Sequence, residues 1–241
     1  MQHIMRADAR RRFTFGITIE NTTTRAWFCY RQAVLVSQRF NFLEVRVSFL
    51  NYHHYIPCVA GASQMVKLVV PLTFGTAVDL GWDPTMQLKY DNQLSSICYE
   101  MTVTPIDNPV RKYRSVKILS EFSADAIRGR ATRVFEGYEI NEHGQRVQGS
   151  KNIAIKDYWL DSSREAEPMI LKKIMEGADE TMKAKFLTVL VWGNLSVNGN
   201  LDSTDRIMNS LNLHLEAGGY KDLTMPLLLN FIYASTYPSS L

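Results

Sequence analysis

Apolar and polar residues alternate along much of this chain with the period of two that strands show. Residues 12–20 (RFTFGITIE) place four bulky apolar side chains at every second position, and this pattern predicts a half-buried strand. A polar turn at residues 21–24 follows, and segments 26–30 and 33–37 are two further strand candidates. The three segments together predict an antiparallel meander near the start of the chain.

Five more strands are predicted in the middle of the chain, where short apolar stretches alternate with loops rich in Gly, Pro, Asp and Asn. They cover residues 86–90, 97–104, 113–119, 132–140 and 152–160. The last two are separated by a polar connection that contains two glycines, so we expect them to form a β-hairpin with a long tip.

The period changes from strand to helix directly after this hairpin. Ser162 and Glu165 have the spacing of a capping box, which is typical of a helix N-terminus. Apolar residues between positions 169 and 175 recur at helical spacing, and Gly177 is expected to end the helix.

Other regions of the chain have mixed patterns. Residues 41–80 show no clean period, and residues 51–72 show no helical character. An apolar strand region is predicted over residues 186–197, and residues 201–215 have some helical spacing. Residues 226–233 form a further apolar segment.

Composition and charge exclude several classes of protein. With 46% hydrophobic residues, the 241-residue chain can bury enough apolar surface to fold, which excludes a wholly disordered protein. A net charge of +3 is too small to require a nucleic-acid partner. The basic run at residues 6–12 predicts a solvated N-terminal tail.

Cysteine content and the lack of targeting segments favour an intracellular protein, cytoplasmic or nuclear. Three widely spaced cysteines do not make a disulfide framework and fit a reducing compartment. The first residues lack the apolar core of a secretory signal, and the longest apolar runs are shorter than the roughly 18 residues that span a membrane. We therefore expect no membrane association.

Candidate chemistry is concentrated between residues 129 and 167. A glycine-containing segment, GRATRV at 129–134, opens one hairpin strand, and the returning strand carries Ile-Ala-Ile-Lys at 153–156. Because side chains alternate across a strand, Lys156 is predicted on the face opposite the two isoleucines. An acidic helix start follows. A glycine turn, a strand lysine and a helix glutamate in this order are typical of the small lobe of a protein kinase.

Five motifs in order resemble the fungal-type protein kinase family over residues 12–210. They are RFTFGITIE at 12–20 with Trp27-Phe28, LGWDPT at 80–85, GRATRV at 129–134, IKDYW at 155–159, and FLTV at 186–189 with Gly193 and DSTD at 202–205. The resemblance implies an α+β fold, with an antiparallel β-rich N-terminal region followed by a protein-kinase-like small lobe (an antiparallel sheet plus one αC-like helix). It also implies ATP as the ligand and phosphoryl transfer as the activity.

The resemblance also assigns roles to individual residues, with Lys156 and Glu167 as the catalytic pair. The residues that it implies for cofactor binding are Gly129, Arg130, Ala131, Thr132, Val134, Ala154 and Lys156. Ala131 stands where the usual loop has its second glycine, and a side chain there hinders close approach of the backbone to a phosphate. Pro168 prefers the first helical turn, so a helix that began at Pro168 would leave Glu167 outside.

Two signatures of phosphoryl transfer do not occur in the sequence. They are HRDxxxxN, with the Asp that orients the hydroxyl, and DFG, with an Asp that holds magnesium. The ligands that Mg²⁺ needs are therefore absent, and we expect a truncated or degenerate family member that is inactive alone. The predicted organisation is a basic tail (1–11), a β-rich extension (12–122), a kinase small-lobe-like domain (123–210) and a divergent C-terminal segment (211–241).

A second hypothesis is a non-enzymatic, β-rich protein-interaction module, comparable to a pseudokinase scaffold. Lys156 and the neighbouring arginines would then be solvated, and partners would dock on sheet edges. We expect a protein substrate or partner, whereas the sequence gives no oligomeric state. A basic nucleic-acid binder is disfavoured because no interleaved aromatic and basic platform occurs.

Overall fold

The computed structural model describes residues 2–31, 34–44, 46–50, 54–58, 60–92, 95–105, 109–121, 130–161, 163–210 and 228–236. Its helices are α1 (Gln2–Ala7), α2 (Ala60–Phe74), α3 (Glu167–Gly177), α4 (Glu180–Lys183) and α5 (Thr204–Ser210). Its strands are β1 (Phe13–Glu20), β2 (Thr23–Tyr30), β3 (Val34–Val36), β4 (Phe40–Asn41), β5 (Arg46–Leu50), β6 (His54–Cys58), β7 (Met86–Asp91), β8 (Ser96–Val103), β9 (Arg111–Ser120), β10 (Arg133–Ile140), β11 (Ile153–Asp161), β12 (Thr188–Asn194), β13 (Ser196–Val197), β14 (Asn200–Leu201) and β15 (Leu228–Thr236).

Antiparallel strands form the main sheet, in the order β12-β15-β11-β10-β9-β8-β7. Counted from β9 along the chain, the lysine-bearing strand β11 is the third strand, and helix α3 follows it. The later strands of the main sheet are β12 and β15. A lysine on the third strand and a following helix that begins with glutamate are the arrangement of a protein kinase small lobe. The expected α+β class with a kinase-like, mostly antiparallel lobe is confirmed.

Two of the predicted domain boundaries fall inside this sheet. Strands β7, β8 and β9, which all precede residue 122, pair successively with one another and with β10. Strand β15 comes from the segment predicted to be divergent, yet it lies between β11 and β12 and pairs with both. The sheet of the lobe therefore begins before residue 123 and continues past residue 210.

A second antiparallel sheet is formed by β1, β2 and β3, with β4 also paired to β2, and it confirms the predicted meander. The aromatic rings of Phe13, Phe15, Phe28 and Tyr30 lie in contact, with neighbouring centroids 5.1–5.7 Å apart. Trp159 of β11 packs in the same apolar cluster. Aromatic contacts therefore join the N-terminal sheet to the main sheet.

Gly81 allows the loop after α2 to approach β1 closely. Its φ of 91° lies in the left-handed region, and a Cβ on it would lie 2.2 Å from the carbonyl oxygen of Phe13. The backbone N–H of Arg12 donates to the Gly81 carbonyl oxygen, and that of Asp83 donates to the Arg10 carbonyl oxygen, both at 2.8 Å. The glycine of the LGWDPT motif is thus required by backbone packing.

The prediction that residues 51–72 lack helical character is wrong, because α2 spans Ala60–Phe74. The helix contains several valines and Pro71, which have low helix propensity. It also leaves valines and Phe74 exposed, so its apolar residues do not mark one buried face. The sequence pattern therefore lacks the usual signal of an amphipathic helix.

The first residues are not the solvated tail that the basic run predicted. Met5 in α1 is buried, and the Arg133 guanidinium donates to the carbonyl oxygens of Met5 and Ala9 at 2.9 and 3.1 Å. The guanidinium carbon of Arg11 lies 3.6 Å from the ring centroid of Trp82, within the range of a cation–π contact. The N-terminal segment is therefore an integral part of the fold.

Neither a membrane-spanning helix nor a metal-binding group of side chains occurs in the part of the chain that the structure describes. None of its helices is both long enough and apolar enough to cross a membrane. Its His, Cys, Asp and Glu side chains form no group of three or more that could hold a metal ion.

Candidate functional site

Strand β11 presents the candidate lysine on one face and part of the hydrophobic core on the other. Ile153 and Ile155 are buried in the largest core cluster, whereas Lys156 is partly exposed on the opposite face, as the alternation predicts. Val134 of β10 lies directly across from Lys156 in the ladder. Ala154 is two positions before Lys156 and shares its face. The structure thus brings Val134, Ala154 and Lys156 together.

Glu167 is the first residue of α3, and its carboxylate forms an ion pair with Lys156. The lysine Nζ donates a hydrogen bond to Glu167 Oε2. Pro168 follows Glu167 within the first turn, where it displaces no intrahelical hydrogen bond, so the proline does not leave the glutamate outside the helix. A carboxylate in the first turn is also favoured by the helix dipole.

The predicted capping box does not begin this helix. Ser162 lies outside the described residues, and Ala166 occupies the N-cap position without a side-chain hydrogen bond. Glu165 forms an exposed ion pair with Lys173 at 2.6 Å instead. The start of α3 must therefore be fixed by contacts other than a conventional N-cap.

Tyr158 is a member of this site that sequence reasoning missed. Its hydroxyl oxygen accepts a hydrogen bond from the backbone N–H of Glu167 at 3.3 Å. Its ring centroid lies 5.4 Å from Lys156 Nζ. Burial raises the pKa of the Tyr158 hydroxyl to about 12, so the side chain stays neutral. The sequence could have indicated Tyr158, because a residue two positions from Lys156 on a strand lies on the same face as the lysine.

The predicted glycine loop is described only in part. Gly129 lies outside the described residues, and Arg130 is exposed, with its carbonyl oxygen accepting the Trp159 N–H at 2.8 Å. Thr132 is half-buried. The segment connects β9 to β10, the strand that pairs with the lysine-bearing strand.

Ala131 does not join the Lys156 group. Its φ of 45° lies in the left-handed region that favours glycine, which is the conformation expected where the usual loop has its second glycine. Its side chain, however, is buried among Phe13, Phe28 and Trp159. In this arrangement the side chain faces the apolar cluster and not Lys156, and its role in cofactor binding stays a prediction.

On the opposite face of β11, Asp157 belongs to a buried ionic cluster. The cluster consists of Arg12, Arg31, Arg133, Asp83, Asp157 and Asp202. Arg12 and Asp202 form its closest pair, with Arg12 Nε donating to Asp202 Oδ2 at 2.8 Å and Nη2 donating to Oδ1. Arg133 lies directly across from Asp157 in the β10–β11 ladder. The formal charges of the three arginines and three aspartates balance.

Each of the five motifs contributes one residue to the cluster. Arg12 belongs to the first motif, Asp83 to LGWDPT, Arg133 to GRATRV, Asp157 to IKDYW and Asp202 to DSTD. Arg31 comes directly after β2. The motifs that carry the family resemblance therefore converge in space on an interior site, and most of their charged residues have a structural explanation.

Desolvation dominates the electrostatics of this cluster. Burial raises the pKa of Asp157 to about 7, although Arg133 and Arg31 oppose the shift, and burial also raises the pKa of Asp83. Burial lowers the pKa of Arg31 to about 10. Among the described residues, Asp157 Oδ1 and two guanidinium nitrogens of Arg31 have no hydrogen-bond partner. Such groups cost stability when they are charged.

Asp157 is expected to make folding more favourable at acidic pH. Its pKa is about 7 in the folded state and about 4 in the unfolded chain, so between these values the folded state binds the extra proton. Its contribution to stability is complete below about pH 4 and is lost as pH rises through 7. The difference in free energy of unfolding between wild type and Asp157→Asn should fall by about 1 kcal/mol per pH unit from pH 5 to 7. Urea denaturation measures this difference, and a pH-independent value would contradict the assignment.

Comparison of the chain with known protein families gives one match. A family model described as fungal protein kinase matches residues 1–216 of the chain. The matched range includes Lys156, Glu167 and all six members of the buried ionic cluster. No curated protein and no solved structure matches the chain.

Proposed function

This chain belongs to the fungal protein kinase family, and on that premise we propose that it carries an ATP-binding small lobe. The observation that supports the proposal most strongly is the ion pair between Lys156 on the third lobe strand and Glu167 at the start of α3. In protein kinases the corresponding lysine binds the α- and β-phosphates, and the helix glutamate pairs with it.

The residues on this face of the sheet suit a nucleotide in different ways. Lys156 is a compact positive charge for phosphate oxygens, and Glu167 fixes the direction of its ammonium group. Val134, which is half-buried and lies directly across from Lys156, adds apolar surface beside the ammonium, against which a base can pack. Ala154 is buried in the unliganded lobe, so its predicted contact with the nucleotide would require local rearrangement. Bound Mg-ATP would supply a transferable γ-phosphoryl group.

Thermal unfolding tests whether the lobe binds nucleotide. At a Mg-ATP concentration of about 100 times Kd, binding stabilises the folded state by about 2.7 kcal/mol. For a chain of this size we expect Tm to rise by roughly 5–10 °C. An unchanged Tm at millimolar Mg-ATP would contradict the proposal and would favour the non-enzymatic interaction module.

Binding is expected without phosphoryl transfer by this chain alone. The sequence contains neither HRDxxxxN nor DFG, so it lacks the groups that orient a hydroxyl and hold magnesium. Incubation with radiolabelled ATP and a general protein acceptor should give no more incorporated phosphate than the Lys156→Met variant gives. Incorporation that depends on Lys156 would show that the 241-residue chain is active.

A further inference from the structure

Tyr158 lies beside the Lys156–Glu167 ion pair and interacts with both residues. It is almost fully buried, with only 2% of its surface exposed, although it shares a strand face with the more accessible Lys156. Its hydroxyl oxygen accepts the Glu167 backbone N–H, and its ring contacts the Lys156 ammonium. One side chain therefore contacts both the helix that carries the carboxylate and the cation on the strand.

The hydrogen bond to Tyr158 serves a helix end whose N-cap residue has no capping side chain. The first backbone N–H groups of a helix have no intrahelical acceptor, and an N-cap side chain usually accepts one of them. Ala166 at the N-cap of α3 has no side-chain oxygen and makes no such bond. The Tyr158 hydroxyl accepts the N–H at the first helical position, and so it anchors the helix where Glu167 begins.

The Tyr158 ring is itself held in place by packing. It forms an apolar cluster with Leu160 of the same strand and Ala166 of the helix N-cap, and Trp192 of β12 packs against this cluster. The ring thus stays below the Lys156 ammonium, at a distance where a cation–π attraction acts. A side chain held from three elements can fix the direction of both groups of the pair.

We propose that Tyr158 is the positioning residue of the Lys156–Glu167 pair: its hydroxyl sets the start of α3 and its ring sets the lysine head. The link to nucleotide affinity rests on the proposed function, whereas the link to the geometry of the pair does not. Tyr158 acts through the two charged side chains and is not expected to contact the nucleotide.

The Tyr158→Phe variant separates the two contributions, because it keeps the ring and removes the hydroxyl. We expect it to weaken Mg-ATP binding by about two- to tenfold, the effect of losing one modest hydrogen bond. Tyr158→Leu, which also removes the ring, should weaken binding further. The matched control is Tyr113→Phe, at a fully buried tyrosine of β9 on the core side, which should leave the affinity unchanged.

A double-mutant cycle distinguishes positioning from general stability. If Tyr158 acts through Glu167, the effect of Tyr158→Phe on affinity should disappear in the Glu167→Gln background. Equal effects in both backgrounds would mean that the hydroxyl does not act through the pair, and would overturn the proposal.

A measurement on the ligand-free protein keeps the proposal testable if Mg-ATP does not bind. Acetic anhydride should acetylate Lys156 about two- to tenfold faster in Tyr158→Phe than in wild type, because a displaced Glu167 protects the amine less. Tyr113→Phe should react at the wild-type rate. An unchanged rate in Tyr158→Phe would contradict the positioning role, whereas a failure of wild type to bind Mg-ATP would contradict only the proposed function.

Discussion

Replacing Asp202 with asparagine is expected to cost about 3–5 kcal/mol of the free energy of unfolding. The change keeps the shape of the side chain but leaves the buried Arg12 guanidinium without its carboxylate. The surrounding cluster would then hold three arginines against two aspartates, one of which has a pKa of about 7. For a chain of this size, Tm should fall by roughly 6–20 °C.

Asp205→Asn is the matched control for this experiment. Asp205 lies three positions later, in the first turn of α5, and it is exposed. Its loss should change the free energy of unfolding by less than about 1 kcal/mol, through the helix dipole alone. Similar losses for Asp202→Asn and Asp205→Asn in urea denaturation would contradict the role assigned to the buried pair.

A double variant tests whether the cost arises from the unpaired charge. Replacing both partners, as Arg12→Met with Asp202→Leu, removes the buried charges together and supplies apolar atoms in their place. Because the penalty of breaking a buried ion pair is mainly that of the charge left behind, the double variant should be more stable than Asp202→Asn. A double variant less stable than the single one would mean that the ion pair stabilises the fold directly.

Replacing Lys156 with methionine is expected to weaken Mg-ATP binding by about 10- to 100-fold, the effect of losing one or two charge-assisted hydrogen bonds to phosphate. Methionine keeps most of the aliphatic stem, and the position is partly exposed, so the variant should remain folded. Glu167→Gln should have a smaller effect in the same direction, because it leaves the lysine in place but less well oriented.

The matched control for Lys156→Met is Lys89→Met. Lys89 is also a strand lysine of the main sheet, but it is exposed on β7, the edge strand four places from β11. Its loss removes the same charge from the protein and should leave the affinity for Mg-ATP unchanged. Equal losses for the two variants would indicate that net charge, and not the ion pair, determines binding.

Sequence reasoning placed Lys156 correctly because strand alternation is a local rule. The same rule puts Asp157 and Trp159 on the face opposite Lys156, and the structure uses that face to attach the N-terminal segment. The start of α3 at Glu167 could also have been predicted, since proline is tolerated anywhere in the first turn and not only at its first position.

Other features depend on long-range pairing that no local pattern records. Strand β15 comes from an apolar segment with no clear strand period, and only its insertion between β11 and β12 shows that it completes the lobe. The buried ionic cluster joins residues as far apart as Arg12 and Asp202. Helix α2 was missed because its exposed valines remove the amphipathic period.

Calorimetric titration of Mg-ATP measures whether the lobe binds ATP through the Lys156–Glu167 pair. Wild type and Lys156→Met should be titrated under identical conditions, after thermal unfolding has shown that both are folded. We predict saturable, one-site binding to wild type and at least about tenfold weaker binding to the variant. Equal affinities, or no binding to folded wild type, would contradict this mode of binding.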